Sequence, residues 1–168
     1  MHAGELEAQR RFGAEHAWPD FLLDNMIAQV FRPGVARFLE AQPFFFIATA
    51  NDRGDCDCSF RAVEGGAGAA TGPSVKVLTE NMLVFPDYSG NNLYNSLGNI
   101  LTNPHIGMLF IDFGRALRLR VNGRASIIEE QQALSQIWPT ALRYVKVDVD
   151  QVYGNCQQRI PRMTFVNP

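Results

Sequence analysis

The segment 83–100, LVFPDYSGNNLYNSLGNI, predicts a strand, a polar turn and a helix. Its apolar start ends at Pro86, which has no backbone N–H to donate to a sheet ladder. The polar residues 89–92 supply turn and N-cap chemistry, and Leu93, Leu97, Ile100 and Leu101 then recur at helical spacing. Because free N–H groups project from the start of such a helix, the segment predicts an anion site, with phosphate as the usual ligand. A capped surface helix without a ligand is the alternative for the segment taken alone.

The composition is typical of one globular domain. A chain of 168 residues buries about two-thirds of its unfolded surface. Hydrophobic residues make up 46% and charged residues 19%, which is an ordinary balance. The 15 basic and 17 acidic side chains give a net charge of −2 without long runs, so we do not expect a nucleic-acid partner.

The sequence also bears on where the protein works. No apolar stretch approaches the roughly 18 residues that a membrane helix needs, so we expect no membrane association. The first residues are polar and do not resemble a signal sequence. Three cysteines fit reduced thiols better than a disulfide framework, and we therefore expect a cytoplasmic protein.

Three regions follow one another within this single domain. Residues 1–42 form a helical lead-in, in which an apolar face at 21–30 is followed by Pro33 and a helix at 35–42. Residues 43–153 form the strand-rich body, and residues 154–168 form a C-terminal tail. The stretch 64–73, rich in glycine and alanine, predicts a mobile insertion between two strands.

The strand-rich body predicts a mainly β, antiparallel fold. A short helix is expected at 131–137, and strands are expected at 44–50, 56–62, 74–78, 82–85, 106–113, 117–128 and 144–153. Six or seven antiparallel strands joined by short turns and interrupted by one helix favour a small closed or partly closed barrel.

Two strands carry polar rows that suit an anion. On 56–62, Ser59 and Arg61 share one face, while Cys56, Cys58 and Phe60 share the other face, which we expect to be buried. Arg118 and Arg120 repeat the polar arrangement on a later strand. Their guanidinium groups are able to hold a phosphate in bidentate geometry, and a solvated outer face is the alternative for each arginine.

The sequence predicts no metal site and identifies no catalytic side chain. Cys56 and Cys58 lack the spacing and the second ligand pair of a zinc site, and we expect both thiols, like Cys156, to be buried and inert. The histidines are scattered, and His105, at a strand start after Asn-Pro, suits a surface or capping role. No Ser-His-Asp or Cys-His arrangement follows from the spacing.

Several blocks in order resemble the pyridoxamine 5′-phosphate oxidase-like, FMN-binding split-barrel family. The resemblance covers 43 to about 129, with a weaker echo at 155–156 and 160–163. The blocks are FFIATA (45–50), GDCDCSFR (54–61), FPDYSGN (85–91), SLGNI (96–100), NPHIG (103–107) and LRVNG (119–123).

This resemblance implies a homodimer of six-stranded split barrels with FMN bound at the interface, so that each site draws on both chains. It places Ser59 and Arg61 on the strand that approaches the flavin, and Pro86 and Asp87 beside the ring. The remaining cofactor-binding residues that it implies are Ser89, Asn91 and Asn92 in the phosphate-binding turn, and Arg118 and Arg120, which supply polar contacts from the same or the partner chain.

The leading functional hypothesis is an FMN-dependent oxidoreductase acting on a small organic substrate, with the protein supplying position and electrostatics. A non-catalytic module that binds or senses a flavin, a deazaflavin or haem is the alternative from a different class. A third hypothesis is an interaction protein whose ligand site has decayed.

Overall fold

The computed structural model describes residues 2–13, 26–63, 72–154 and 158–164. Within these ranges lie four helices, α1 (Ala3–Arg11), α2 (Val35–Glu40), α3 (Asn95–Thr102) and α4 (Gln132–Ser135). None of these described helices is long and apolar enough to cross a bilayer. The strands of the same ranges are β1 (Phe44–Ala50), β2 (Cys56–Ala62), β3 (Lys76–Thr79), β4 (Met82–Asp87), β5 (His105–Asp112), β6 (Leu117–Ile128) and β7 (Arg143–Gly154).

All seven strands belong to one antiparallel sheet with the order β2-β1-β5-β6-β7-β4-β3. The predicted class, a mainly antiparallel split barrel with a few helices, is confirmed. The count of six strands implied by the family resemblance is wrong for the described chain, which has seven, within the six or seven that the strand pattern predicts. The short β3 pairs with β4 at one end of the sheet and adds a separate edge strand.

The sheet coils so that strands far apart in its order share one core. The ring of Phe45 on β1 contacts Phe85 on β4 at 5.3 Å and Phe110 on β5 at 4.9 Å, measured between ring centroids. All three rings are fully buried. Because β1 and β4 are separated in the sheet by β5, β6 and β7, these contacts require the inner faces of the two halves to meet.

Helix α2 covers the open edge of the sheet at β3. Glu40, at the end of α2, accepts a hydrogen bond from the backbone N–H of Val77 at 2.9 Å and pairs with Lys76 Nζ at 3.1 Å. The hydroxyl of Ser74 donates to the carbonyl of Gln42 at 2.6 Å. The bond from Val77 satisfies a backbone N–H that an uncovered edge strand would expose for pairing with another chain.

Most predicted elements are confirmed within a few residues, and β6 is confirmed at both ends. Residues 21–25 of the predicted lead-in helix, the stretch 64–71 of the predicted mobile insertion, and Cys156 lie outside the described residues. The helix predicted for 27–30 is wrong, because Ala28 pairs with Val152 of β7 in an isolated antiparallel bridge. Of that insertion, Gly72 and Pro73 are described, and the indole N–H of Trp138 donates to the Pro73 carbonyl at 2.7 Å.

The face predicted to be buried on β2 is wrong. Cys56, Cys58 and Phe60 are exposed, and Phe60 is 56% accessible. The residues of the other face, Ser59 and Arg61 among them, are partly buried. Alternation separates two faces without deciding which one turns inward. Here the polar face turns inward, because α3 and β4 supply it with hydrogen-bonding partners.

Gly123 lies at an irregularity in the β6–β7 ladder, and a substitution there tests the pairing of these two strands. The register between β6 and β7 shifts between Asn122 and Gly123. A Cβ atom at Gly123 would overlap the backbone carbonyl of Asp148 on β7. We therefore expect Gly123→Ala to lower the free energy of unfolding by roughly 3 kcal/mol, measured by urea denaturation.

Gly98, on α3, is the matched control for this substitution. A Cβ atom there meets open space. Because alanine costs less backbone entropy than glycine in a helix, Gly98→Ala should raise stability by about 0.5–1 kcal/mol. Equal stability of wild type and Gly123→Ala would contradict the register described for β6 and β7.

Candidate functional site

A cleft of about 400 Å³ lies between the inner side of β2, the end of β4 and the turn that leads into α3. This volume is within the range of small-molecule sites. Five of the nine predicted cofactor-binding residues line the cleft, namely Ser59, Arg61, Asp87, Asn91 and Asn92.

An ion pair crosses the cleft from β2 to β4. Arg61 Nη1 donates to Asp87 Oδ1 at 2.8 Å, and the two side chains are 20% and 9% exposed. The second carboxylate oxygen, Oδ2, lies 3.7 Å from Nη1 of Arg143. Arg143, which was not predicted as a site residue, is opposite Asp87 in the β4–β7 ladder. Only the strand register brings Arg143 to this place, and no local motif marks it.

The turn between β4 and α3 is fixed by its own side chains. Asn91 Oδ1 accepts from the backbone N–H of Leu93 at 3.1 Å, and the hydroxyl of Tyr94 donates to Asn92 Oδ1 at 3.2 Å. Asn92 and Tyr94 have left-handed backbones, with φ of 61° and 54°. Asparagine tolerates this region, whereas tyrosine does so less readily. The Arg143 guanidinium stacks over the Tyr94 ring at 5.2 Å and stabilises that conformation.

The start of α3 differs from the prediction. The helix begins at Asn95, its N-cap is Tyr94, and no side chain caps it, so the N-cap role predicted for residues 89–92 is wrong. Asn91 instead bonds within the turn. Since Asn95 and Ser96 line the cleft, the first turn of α3 places the positive end of the helix dipole at the cleft wall.

Two side-chain hydrogen bonds attach α3 to the sheet. The hydroxyl of Ser96 donates to Asp57 Oδ2 on β2, and Asn99 Nδ2 donates to Thr49 Oγ1 on β1, each at 3.0 Å. Ser96 and Thr49 are both buried. These contacts were not predicted, although Ser96 and Asn99 lie on the helical face of the buried Ile100, and that spacing is the signal from which they could have been predicted.

The donors in the cleft suit an oxyanion such as phosphate. Arg61 Nε is buried and has no hydrogen-bond partner among the described residues. Ser59, Asn91 and Asn92, each with a polar side chain, line the same space. Hydrogen bonds from a guanidinium to an anion are stronger than neutral ones, so this set of donors fits a phosphate group.

The other four predicted residues lie outside the cleft lining. Pro86 is buried within β4, and Ser89 is exposed in the turn. Arg118 and Arg120 are on the outer face of the sheet, away from Ser59 and Arg61. Arg120 lies opposite Leu109 and stacks over Tyr153 at 5.7 Å. Arg118 Nε is buried, with no hydrogen-bond partner in the described part of the chain.

Neither a metal centre nor a histidine contributes to this cleft. In the described ranges, no three His, Cys, Asp or Glu side chains are grouped to hold a metal ion. His105 is exposed, and its Nδ1 lies 2.8 Å from Asn103 Oδ1, in keeping with the predicted surface role. Tyr144 lies opposite Pro86 in the β4–β7 ladder, and burial raises the pKa of its phenol, which stays neutral near pH 7.

The sequence of this chain matches a known protein family. The family model described as pyridoxamine 5′-phosphate oxidase matches residues 31–163. The chain belongs to the pyridoxamine 5′-phosphate oxidase family. The matched region runs from before α2 to the C-terminal tail, so it includes every residue of the cleft. No curated protein matches the chain significantly.

Solved structures share the fold of this family member at low sequence identity. HupZ from Group A Streptococcus is 15% identical with a TM-score of 0.54, covering 77% of this chain and 95% of that chain. A candidate pyridoxamine 5′-phosphate oxidase from Lactobacillus delbrueckii is 15% identical with a TM-score of 0.55, covering 75% and 95%. A NimC/NimA family protein from Clostridium acetobutylicum is 11% identical with a TM-score of 0.50, covering 74% and 95%.

The bond between Asn99 and Thr49 allows a test of how α3 is held. Thr49→Val removes the acceptor and leaves a partly buried amide unpaired, which should lower the free energy of unfolding by about 1–3 kcal/mol. Thr102→Val, at an exposed position of the same helix, is the control and should change stability by less than about 0.5 kcal/mol. Equal losses in urea denaturation would show that the Thr49 contact does not anchor α3.

Proposed function

We propose that this family member is an FMN-binding oxidoreductase that acts on small organic substrates as a homodimer. The observation that carries the proposal is the single cleft in which Ser59, Arg61, Asn91 and Asn92 meet the start of α3. Membership of the pyridoxamine 5′-phosphate oxidase family supports a flavin as the ligand.

In this proposal the cleft holds the phosphate of FMN. Arg61 contributes the positive charge at the wall of the cleft. The Ser59 hydroxyl and the first backbone N–H groups of α3 add neutral donors. A helix start and a guanidinium together are a recurrent way to bind a dianionic phosphate.

Bound FMN would supply hydride transfer, and the chain's own residues would supply binding, orientation and exclusion of water. A phosphate fixed at Arg61 would determine the direction in which the rest of the bound cofactor extends from the cleft. Pro86, in β4, remains the residue that we propose for the ring side, whereas Asp87, which contacts Arg61, is proposed to lie beside the phosphate. No side chain of the cleft is assigned as an acid or base.

The proposed dimer uses the outer face of the sheet. Phe60, Phe46 and Leu109 lie side by side across β2, β1 and β5. The Phe60 ring lies 5.7 Å from Phe46 and 5.2 Å from Phe44, and more than half of Phe60 is exposed. An exposed cluster of aromatic rings marks an interaction surface, and we propose a second copy of the chain as its occupant. Arg118 and Arg120 share this outer face, which would bring them towards the second copy.

Titration with FMN and with riboflavin tests the phosphate contact. We expect Arg61→Gln to raise the dissociation constant for FMN by about 10–100-fold and to change that for riboflavin much less, because only FMN carries the phosphate. Quenching of flavin fluorescence gives both constants. Arg115→Gln, at an exposed arginine outside the cleft, is the matched control and should leave both unchanged.

Two results would count against the proposal. Absence of FMN quenching at micromolar protein would remove the flavin site altogether. Tight FMN binding with no flavin-dependent oxidation of NADH or NADPH would argue for a module that binds a flavin without turnover.

The dimer is tested at Phe60. Phe60→Asp places a charge in the centre of the aromatic patch, so we expect the dimer to dissociate into monomers in size-exclusion chromatography with light scattering. Leu78→Asp, at an exposed leucine on β3, is the control and should leave the dimer intact. A wild-type monomer at high concentration would rule out this part of the proposal.

A further inference from the structure

We infer that Asp87 determines how tightly the cleft binds a phosphate group, because its carboxylate holds Arg61 as the anion of a ligand would. This inference rests on the proposed function for its relevance to FMN. The same competition with Asp87 applies to any phosphate that reaches Arg61, so inorganic phosphate is a sufficient probe.

The contact between Asp87 and Arg61 is short and shielded from water. The distance from Arg61 Nη1 to Asp87 Oδ1 is 2.8 Å, and the carboxylate is 9% exposed. The attraction between two such charges is stronger than at a solvated surface. Arg61 Nε has no partner in the described chain, so the guanidinium is held through Nη1 while one of its other donors stays unused.

The charged side chains that line the cleft act in opposite directions on a phosphate. Two carboxylates, Asp57 and Asp87, line it together with one guanidinium, that of Arg61. Asp57 accepts a hydrogen bond from the Ser96 hydroxyl, which leaves its charge in place. A phosphate that enters must therefore share Arg61 with Asp87 and approach a carboxylate at close range.

Arg143 weakens the competition between Asp87 and a phosphate for Arg61, because it is a second cation beside the Asp87 carboxylate. Its Nη1 lies 3.7 Å from Asp87 Oδ2, whereas Arg61 donates to the other carboxylate oxygen, Oδ1. With Arg143 present, the carboxylate divides its charge between two cations. Without Arg143, the whole attraction of Asp87 would fall on Arg61, and the phosphate would compete less well.

The two variants therefore have opposite expected effects. Asp87→Asn keeps the size and an oxygen acceptor but removes the charge, so we expect FMN to bind about tenfold more tightly, corresponding to one strong charge-assisted contact. Arg143→Gln should weaken FMN binding several-fold. Riboflavin binding should change less than about twofold in both variants, since riboflavin carries no phosphate. Asp55→Asn, on an exposed hairpin, is the control.

The experiment measures FMN and riboflavin dissociation constants for the four proteins, together with the melting temperature in increasing inorganic phosphate. We expect phosphate to stabilise Asp87→Asn more than the wild type, and Arg143→Gln less. A purely structural role for Asp87 would instead weaken both flavins equally in Asp87→Asn, which would overturn the inference.

The possible failures are distinguishable. If no variant binds FMN but phosphate still stabilises Asp87→Asn more than the wild type, the flavin proposal fails and the inference about Asp87 stands. If FMN binds and the phosphate response is the same in all four proteins, the inference fails and the flavin proposal stands. If Asp87→Asn does not fold, Arg143→Gln decides, because unchanged or tighter FMN binding in that variant would contradict the inference.

Discussion

The ion pair between Arg61 and Asp87 connects two strands that the hydrogen bonds of the sheet keep apart. Four strands separate β2 from β4 in the sheet order, yet the two side chains meet at 2.8 Å. The contact between the Phe45 and Phe85 rings joins the same two halves of the sheet in the core. Together these two contacts close the barrel at the side where the cleft opens, and the position of the turn and of α3 follows from that closure.

The same ion pair links stability to ligand binding. A buried pair gains little over a hydrophobic contact, because both charges lose their hydration. Its value to this fold is that it holds a guanidinium, partly shielded from water, at the wall of a cleft that a helix start also faces. A ligand that takes Arg61 must offset the contact with Asp87, so the closure of the barrel and the occupation of the cleft are coupled through one carboxylate.

Much of the fold was predictable because its strands alternate clearly. The strand β6 follows from the regular change between Leu and Arg at 117–120, and the alternation at 56–62 placed Ser59 and Arg61 correctly on one face of β2. The burial of that face was not predictable, since its partners Asp87 and Ser96 lie far along the chain. Arg143 was missed for the same reason, because only the register of β4 with β7 brings it to Asp87.

The central claim is that a phosphate binds between Arg61 and the first turn of α3. The most direct measurement is the change in ¹H–¹⁵N resonances of the labelled protein on addition of FMN, with riboflavin added to a second sample. The account predicts that FMN, and not riboflavin, shifts the Arg61 Nε–H resonance and the backbone amides of Asn95 and Ser96. Identical shifts with the two flavins, or FMN shifts confined to residues outside the cleft, would contradict it.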